Sequence, residues 1–456
     1  MRTLVAALAL LAPVPALAQE GHDMHDMGSM PADPGPQDHA AMGHTMPAPA
    51  TPQDHAAMGH AMPGMPTDRP MPMMRMGGSD HAAGGSGTAL LPQADGPMRG
   101  VMLSHGDWMV MAHGYLWGVY TDQGGPRGED AAFVESMAML SATRDWGNGT
   151  TLQLRAMGSL EPAMGQRGYP NLFASGETAG GQPLVDRQHP HDLFMELSAR
   201  IDTQVAPNTK LFLYGGPVAE PALGPSAFMH RRSARYFALS PIAHHWFDSS
   251  HITYGVVTGG VQAGRVQLEG SWFNGREPDE HRWDIDPIKL DSWSVRASWS
   301  PTDHWVAQVS TGHLKSPEVT HAGEDEQRTT ASLHYSSGAV SAMVAYAAKH
   351  RLPGPVLSAW TAEANWDLTR RHSLFGRVEN VANDELFPDH DSPLHDRKFR
   401  VTRFEGGYAY RIPLANQTEL ALGGSVATYL KPGALDATYG KAPVSYTLFA
   451  RFALGR

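Results

Sequence analysis

The segment Val401-Thr402-Arg403-Phe404-Glu405-Gly406-Gly407-Tyr408-Ala409-Tyr410-Arg411-Ile412, followed after Pro413 to Asn416 by Gln417 to Leu430, decides the fold. In its first half Phe404, Gly406, Tyr408, Tyr410 and Ile412 fall on one face of an extended chain. Arg403, Glu405, Gly407, Ala409 and Arg411 fall on the other. In the second half Leu420, Leu422, Gly424, Val426 and Leu430 oppose Glu419, Ala421, Gly423 and Ser425. Period two on both sides of a short turn is a hairpin with one apolar side and one charged or small side. A soluble sheet carries the same pattern, so strand length, recurrence and connections have to separate the two architectures.

Working outward, the pattern recurs in sixteen strand candidates: 108–120, 133–143, 150–159, 193–203, 209–215, 251–262, 264–274, 291–300, 303–314, 327–335, 339–348, 357–367, 372–380, 400–411, 417–429 and 443–454. Most have the length that a tilted strand needs to cross a bilayer. Their connections alternate. Short turns such as Asp145 to Gly149, Ala206 to Asn208, Ser336 to Gly338 and Thr369 to Arg371 interleave with longer loops at 121–132, 160–192, 216–250, 275–290, 315–326, 349–356, 381–399 and 430–442. Short turns on one side and long loops on the other are the asymmetry of an outer-membrane barrel. Trp360, Ala362, Ala364, Trp366 and Leu368, Trp293 to Trp299, and Tyr446 to Leu454 each give an apolar face for lipid. The alternate residues, with Glu363, Arg377, Glu379, Arg403, Glu405, Arg411, Glu419 and Arg451, face a wet lumen, where they either set a field or pair to brace the wall. The expected fold is all-β, a transmembrane antiparallel barrel of about sixteen strands, wide enough for an aqueous channel unless loops 160–192 and 216–250 fold inward. Outer-membrane barrels resemble one another in ending on an aromatic residue, whereas here Phe452 precedes Ala453 to Arg456.

The amino-terminal part reads differently. Arg2, the apolar run Leu4 to Leu11 and Ala16-Leu17-Ala18 form a signal-peptide pattern over 1–18. Residues 19–76 are rich in Met, His, Asp, Pro, Gly and Ala and bury too little apolar area to offset ordering entropy, which predicts disorder. Pro36 to His44 recurs unchanged at Pro52 to His60. Residues 77–104 read as a Gly/Ser/Pro-rich linker, and 105–456 as the barrel. No run of eighteen apolar residues follows the signal, and mean hydropathy is -0.33, as alternating strands produce. The net charge of -11 leaves no basis for nucleic-acid binding, and the absence of cysteine suits an exported chain.

In the tail, His22, Met24, His25, Met27, Met30, His39, Met42, His44, Met46, His55, Met58, His60, Met62, Met65, Met71, Met73, Met74 and Met76 form a dense series of donors. Thioethers select Cu(I) or Ag(I), and imidazole also takes Cu(II) and zinc. Copper ions, Cu(I) and Cu(II), are the expected ligands, bound at many flexible sites beneath the pore. With an even strand count the tail sits in the periplasm. A weaker group lies in the long loops: His189, His191 with Asp192, His244, His245 with Asp248, and His251, then Asp279-Glu280-His281 and Asp384 to Asp396 with Asp389, His390, Asp391, His395 and Asp396. These map to the outer side or the strand rims, either drawing cations to a pore mouth or standing as solvated loop residues. Asp248, Ser249, Ser250 and His251 include the residue types of a hydrolase triad, but adjacency in sequence does not make one. No phosphate loop or dinucleotide fingerprint occurs, and no enzyme is expected.

A signal, a Met/His-repeat tail with Met-Gly-His and Asp-His motifs, and then a barrel resemble the B component of bacterial copper-resistance systems. The resemblance rests on residues 22–76 and on the layout. It implies copper tolerance by sequestration or passage at the outer membrane of a Gram-negative cell, with lipid, metal ions and periplasmic copper proteins as partners. Two other functions fit the same barrel: a general diffusion porin with an incidental tail, and a lipid hydrolase with a Ser and a His converging at the bilayer rim.

Overall fold

The computed structural model describes residues 81–98, 100–414 and 417–455. The signal segment and all the tail donors from His22 to Met76 lie outside the described residues.

The wall consists of β1 (Trp108–Gln123), β2 (Asp130–Asp145), β3 (Thr150–Gly158), β4 (Phe194–Ala206), β5 (Thr209–Ala219), β6 (Thr253–Ala263), β7 (Val266–Phe273), β8 (Ser292–Thr302), β9 (Trp305–Leu314), β10 (Asp325–Ser336), β11 (Val340–Leu352), β12 (Val356–Asp367), β13 (His372–Asn383), β14 (Phe399–Pro413), β15 (Thr418–Leu430) and β16 (Val444–Leu454). Each pairs antiparallel with the next, and β16 returns to β1 from Ser445↔Gln123 to Leu454↔Gly114, so the barrel is closed. Below that seam, the short strand Val101–His105 folds back along Ala112 to Trp108. Closure leaves no open edge, which is the condition for a sheet to exist in hydrocarbon. Among the described residues no helix is long and apolar enough to cross a membrane; the crossing is made by strands.

Turns follow local chemistry. Between β4 and β5, Pro207 presets one corner and Asn208 takes φ +59°, the pairing that a tight turn with a left-handed second position requires. Short turns lie at the end where β1 begins, and most long loops lie opposite. The expected loop at 349–356 is the exception. β11 and β12 run on to Leu352 and back from Val356, leaving only Pro353, Gly354 and Pro355 between them.

The outward face is apolar as expected. Leu140, Leu213, Leu268, Val309, Val426 and Leu448 are exposed at mid-strand, and Trp272, Trp293 and Trp360 form one aromatic belt with Trp299, Trp305 and Trp366 forming the other. Phe452 also points outward. Six of the eight inward charges are paired and brace the wall: Arg377 with Glu363 at 3.1 Å, Arg403 with Glu405 at 2.8 Å, Arg411 with Asp367 at 3.3 Å, and Glu419 with Arg235 at 2.9 Å, while Glu379 accepts from the Ala243 N–H and Arg451 lies over Tyr115 and Trp117.

The lumen is filled. Residues 220–252, between β5 and β6, touch the wall all the way round. Trp246 and Phe247 pack on Met343, Leu357, Val381 and Tyr429. Phe228, Tyr236 and Phe237 pack on Trp117, Phe375 and Phe449. Met229 and Ile252 pack on Met111, Met137, Met139, Met157 and Met195, and Leu223 on Phe212, Tyr214 and Leu314. Leu172 and Phe173 of the 159–193 connection join the first cluster. Both loops therefore fold inward. Residues 81–98 do not behave as the flexible linker expected of 77–104. Ala82 to Gly84 pair with Leu90 to Pro92, Ala82 and Leu90 pack on Val306, and Ser86 and Thr88 bond to plug and wall. Their small side chains fit a gap between the two, so the segment is buried there although it has little apolar bulk.

A candidate metal-ligand column in the lumen

Two plug segments carry the imidazoles. The 159–193 connection brings His189 and His191, and the plug brings α1 (His244–Phe247) with the turn Ser249–His251. The one-turn helix sets Asp248 four residues beyond His244, where side chains meet, and His244 Nδ1 is 2.9 Å from Asp248 Oδ1. The same carboxylate accepts from the Phe228 backbone N–H at 2.9 Å and from Arg231 at 2.8 Å. Arg231 also donates to wall residue Glu363 at 2.7 Å, tying plug to barrel.

The five loop histidines meet. Ring centroids are 5.4 Å apart between His191 and His251, 5.2 Å between His251 and His244, and 5.4 Å between His244 and His245, with His189 6.0 Å from His245. They are buried inside the barrel, with His244 and His245 each 3 % exposed, and are not the rim or solvated loop groups the sequence suggests. A polar group with no water to face has to find partners, and these find carboxylates. His191 Nδ1 is 2.8 Å from Glu161, His189 Nε2 is 3.1 Å from Glu177, and His245 Nδ1 is 3.2 Å from Glu277. Glu318 completes a buried group with His245 and Glu277, and shares a further group with His321 and Glu385. At the opposite end His191 and His230 line a cavity of about 580 Å³ that reaches Arg370, Pro413 and Gly455 at the short-turn end. The column thus runs from the periplasmic cavity to the outer loops, where His321 is partly exposed.

Burial sets most of the charge states. It pushes the His189 and His251 imidazoles well below their ordinary range, with neighbouring cationic and imidazole groups adding to the effect, and leaves both rings neutral. Burial lifts Glu177 to about 7 against the opposing pull of Arg282, and lifts Glu318 to about 7 against Lys349. Burial also opposes charge on His245, but Glu277 beside it raises the ring to about 9. Glu277, held by His245 and Arg328 against its own burial, stays below the usual carboxylate range. Imidazole suits late first-row dications; His189, neutral beside Glu177, offers such a donor, and His245 offers one on giving up its proton.

The lumen also holds a patch that sequence reasoning missed. Met111, Met137, Met139, Met157 and Met195 point inward from β1 to β4 and pack with Met229 and Met98, the last two also lining the cavity. Inward thioethers are visible in the strand alternation once the barrel is accepted. Glu161, Glu177, Glu277, Glu318 and His321 were missed as well. Each is isolated in sequence, and only the folding of the loops into one space brings them together. Asp279-Glu280-His281 and residues 389–396 remain on the outside, whereas Asp384, at the start of the expected 384–396 group, is buried against Arg351, and Glu385 beside it joins Glu318 and His321. The triad types do not form a triad. His251 Nδ1 meets the Asp248 backbone carbonyl at 2.7 Å, and Ser249 Oγ donates to Glu277 at 2.6 Å.

Wall, closure and belts define an outer-membrane porin-like β-barrel. Its fold is similar to that of Salmonella typhi OmpF, with a TM-score of 0.51, 8% sequence identity, and coverage of 77% of this chain and 100% of that one. The TM-score is 0.47 both for the anion-selective porin from Comamonas acidovorans (12% identity, 76% of this chain, 99% of that one) and for Pseudomonas putida OprB (9%, 76% and 94%). Identities this low show a shared fold alone. No protein-family model and no curated protein matches the chain.

Proposed function

We propose that this porin-like barrel is a restricted passage for transition-metal cations, copper first, with the Met/His tail gathering metal on the periplasmic side. The observation that carries this reading is the file of imidazoles and carboxylates between the periplasmic cavity and the outer loops, set in a lumen filled by the plug with its apolar clusters and ion pairs. A solute of sugar size has no lane through such a plug, whereas an ion moving from donor to donor needs only small shifts of side chains. The lumen methionines and the tail methionines supply the soft donors that Cu(I) prefers.

The test is flux in proteoliposomes. Cu(II) or Cu(I) uptake above that of sodium and of a disaccharide supports the proposal; equal permeation by the disaccharide would establish the general diffusion porin instead. Deleting residues 22–76 is expected to lower copper binding and copper tolerance in cells while leaving the barrel inserted.

A further inference from the structure

We propose that His245 is the hub of a buried binding site for a borderline dication such as Cu(II) or Zn(II). Glu177 and His189 form one ligand group with it, and Glu277 and Glu318 a second. The inference rests on the restricted-passage reading and names where an ion would stop on the way.

The first observation is geometric. Ligand atoms of Glu177, His189 and His245 lie within 4.8 Å of one another, as do those of His245, Glu277 and Glu318. Tetrahedral donors about 2.0–2.1 Å from zinc stand about 3.4 Å apart. The pairs at 3.1 Å and 3.2 Å are already at that bite, and the third donor of each group closes by an ångström or so.

The second is an accounting of protons and lone pairs. His189 Nδ1 lies 3.0 Å from the Pro190 carbonyl, an oxygen that can only accept, so the proton sits on Nδ1. That leaves Nε2 as a bare lone pair facing the Glu177 carboxylate. His189 Nε2, His245 Nδ1 and Glu277 Oε2 are all buried, and their contacts across 3.1 Å and 3.2 Å are not aligned as hydrogen bonds. Buried groups of this kind are ordinarily satisfied; a carboxyl proton or a metal cation can do so between His189 Nε2 and Glu177, and the third donor of the same group, His245, gives the cation a ligand that the proton does not use.

Glu177, Glu277, Glu318, Glu326 and Glu385 face Arg282, Arg328 and Lys349, with His245 beside Glu277 and His321 beside Glu385. No sulfur donor belongs to either group, so the site favours the divalent, borderline state over Cu(I). Finally, the two groups share His245, and the second shares Glu318 with His321 and Glu385. An ion leaving one group is already held by a ligand of the next.

The experiment uses the full mature chain in detergent. Crystals grown with zinc chloride are measured at the zinc edge, and metal retained after dialysis is measured for wild type, His245→Gln and Glu177→Gln. An anomalous peak beside His245 is expected, with retained metal lost in both variants and affinity weakened beyond the roughly 10- to 100-fold that loss of an outer partner causes. Glu177→Gln swaps one carboxyl oxygen for an amide and keeps the side-chain shape, and the melting temperature of each metal-free variant confirms folding. No peak at saturating zinc, or variants that retain metal as the wild type does, would overturn the site. Zinc bound there without copper flux in proteoliposomes sinks the passage reading alone; copper flux with no metal at His245 sinks the site alone.

Discussion

Replacing Arg231 by methionine tests whether the plug is fastened where the structure fastens it. The guanidinium is 3 % exposed and bridges Asp248 of the plug to Glu363 of β12, and it also donates to the Ser226 carbonyl at 2.8 Å. Methionine keeps the stem volume and removes the charge. Breaking a buried pair by deleting one partner costs about 3–5 kcal/mol. The lower end applies, because Glu363 keeps Arg377 at 3.1 Å and Ser233 at 2.8 Å, and Asp248 keeps His244 and the Phe228 N–H. A loss of about 3 kcal/mol in the docked state raises the ratio of undocked to docked plug about 100-fold. Single-channel recording in planar bilayers reads that ratio as the time spent at a large-conductance level. Unchanged closed time in the variant would refute the anchoring argument.

Other outcomes follow from the same geometry. Leu448→Arg puts a charge on the lipid face at mid-strand and is expected to cost about 2–4 kcal/mol in folding into bilayers, measured by denaturant titration; a loss below half a kilocalorie would contradict the assignment of faces. Burial raises Glu177 and Glu318 from 4.5 to about 7, so each binds its proton more tightly in the folded chain. The metal-free protein is therefore expected to lose stability as pH rises from about 4.5 to about 7, and Glu177→Gln should flatten that fall in a thermal melt. Met-to-Leu replacement throughout residues 24–76 is expected to abolish Cu(I) binding by the tail while histidine retains some Cu(II); unchanged Cu(I) affinity would exclude thioether ligation. Thr88→Val removes a hydroxyl that takes a hydrogen bond from Arg296 at 2.8 Å and donates to Glu269. It is expected to lower the melting temperature and loosen the 81–98 segment, read by protease access at that segment.

The wall was legible because lipid imposes its rule on every strand at once. Alternation at Arg403 to Ile412 and at Glu419 to Val426 fixes which side chains meet hydrocarbon, and the observed strands fall within a few residues of those ranges. The interior was not legible, because a plug obeys no period. Nothing in Glu277 or Glu318 alone says that two connections will carry them to His245. His189, His191, His244, His245 and His251 could be named as candidates, yet their clustering near long loops suggested the rim. What moved them inward was the aromatic content around them: Phe228, Phe237, Trp246 and Phe247 have no place in water and draw the whole 220–252 segment into the barrel. The linker reading of 81–98 failed for the opposite reason, since glycine, serine and alanine also suit a narrow slot.

The slot ties three parts of the chain into one unit. Residues 85–88 lie between Glu220 and Ser226 on one side and Glu269 and Arg296 on the other, a filling between two slices. With Tyr446 and its neighbours zipped onto Asp122 and the staves hooped, the outer slice is held fast, so the filling comes loose when the inner slice does.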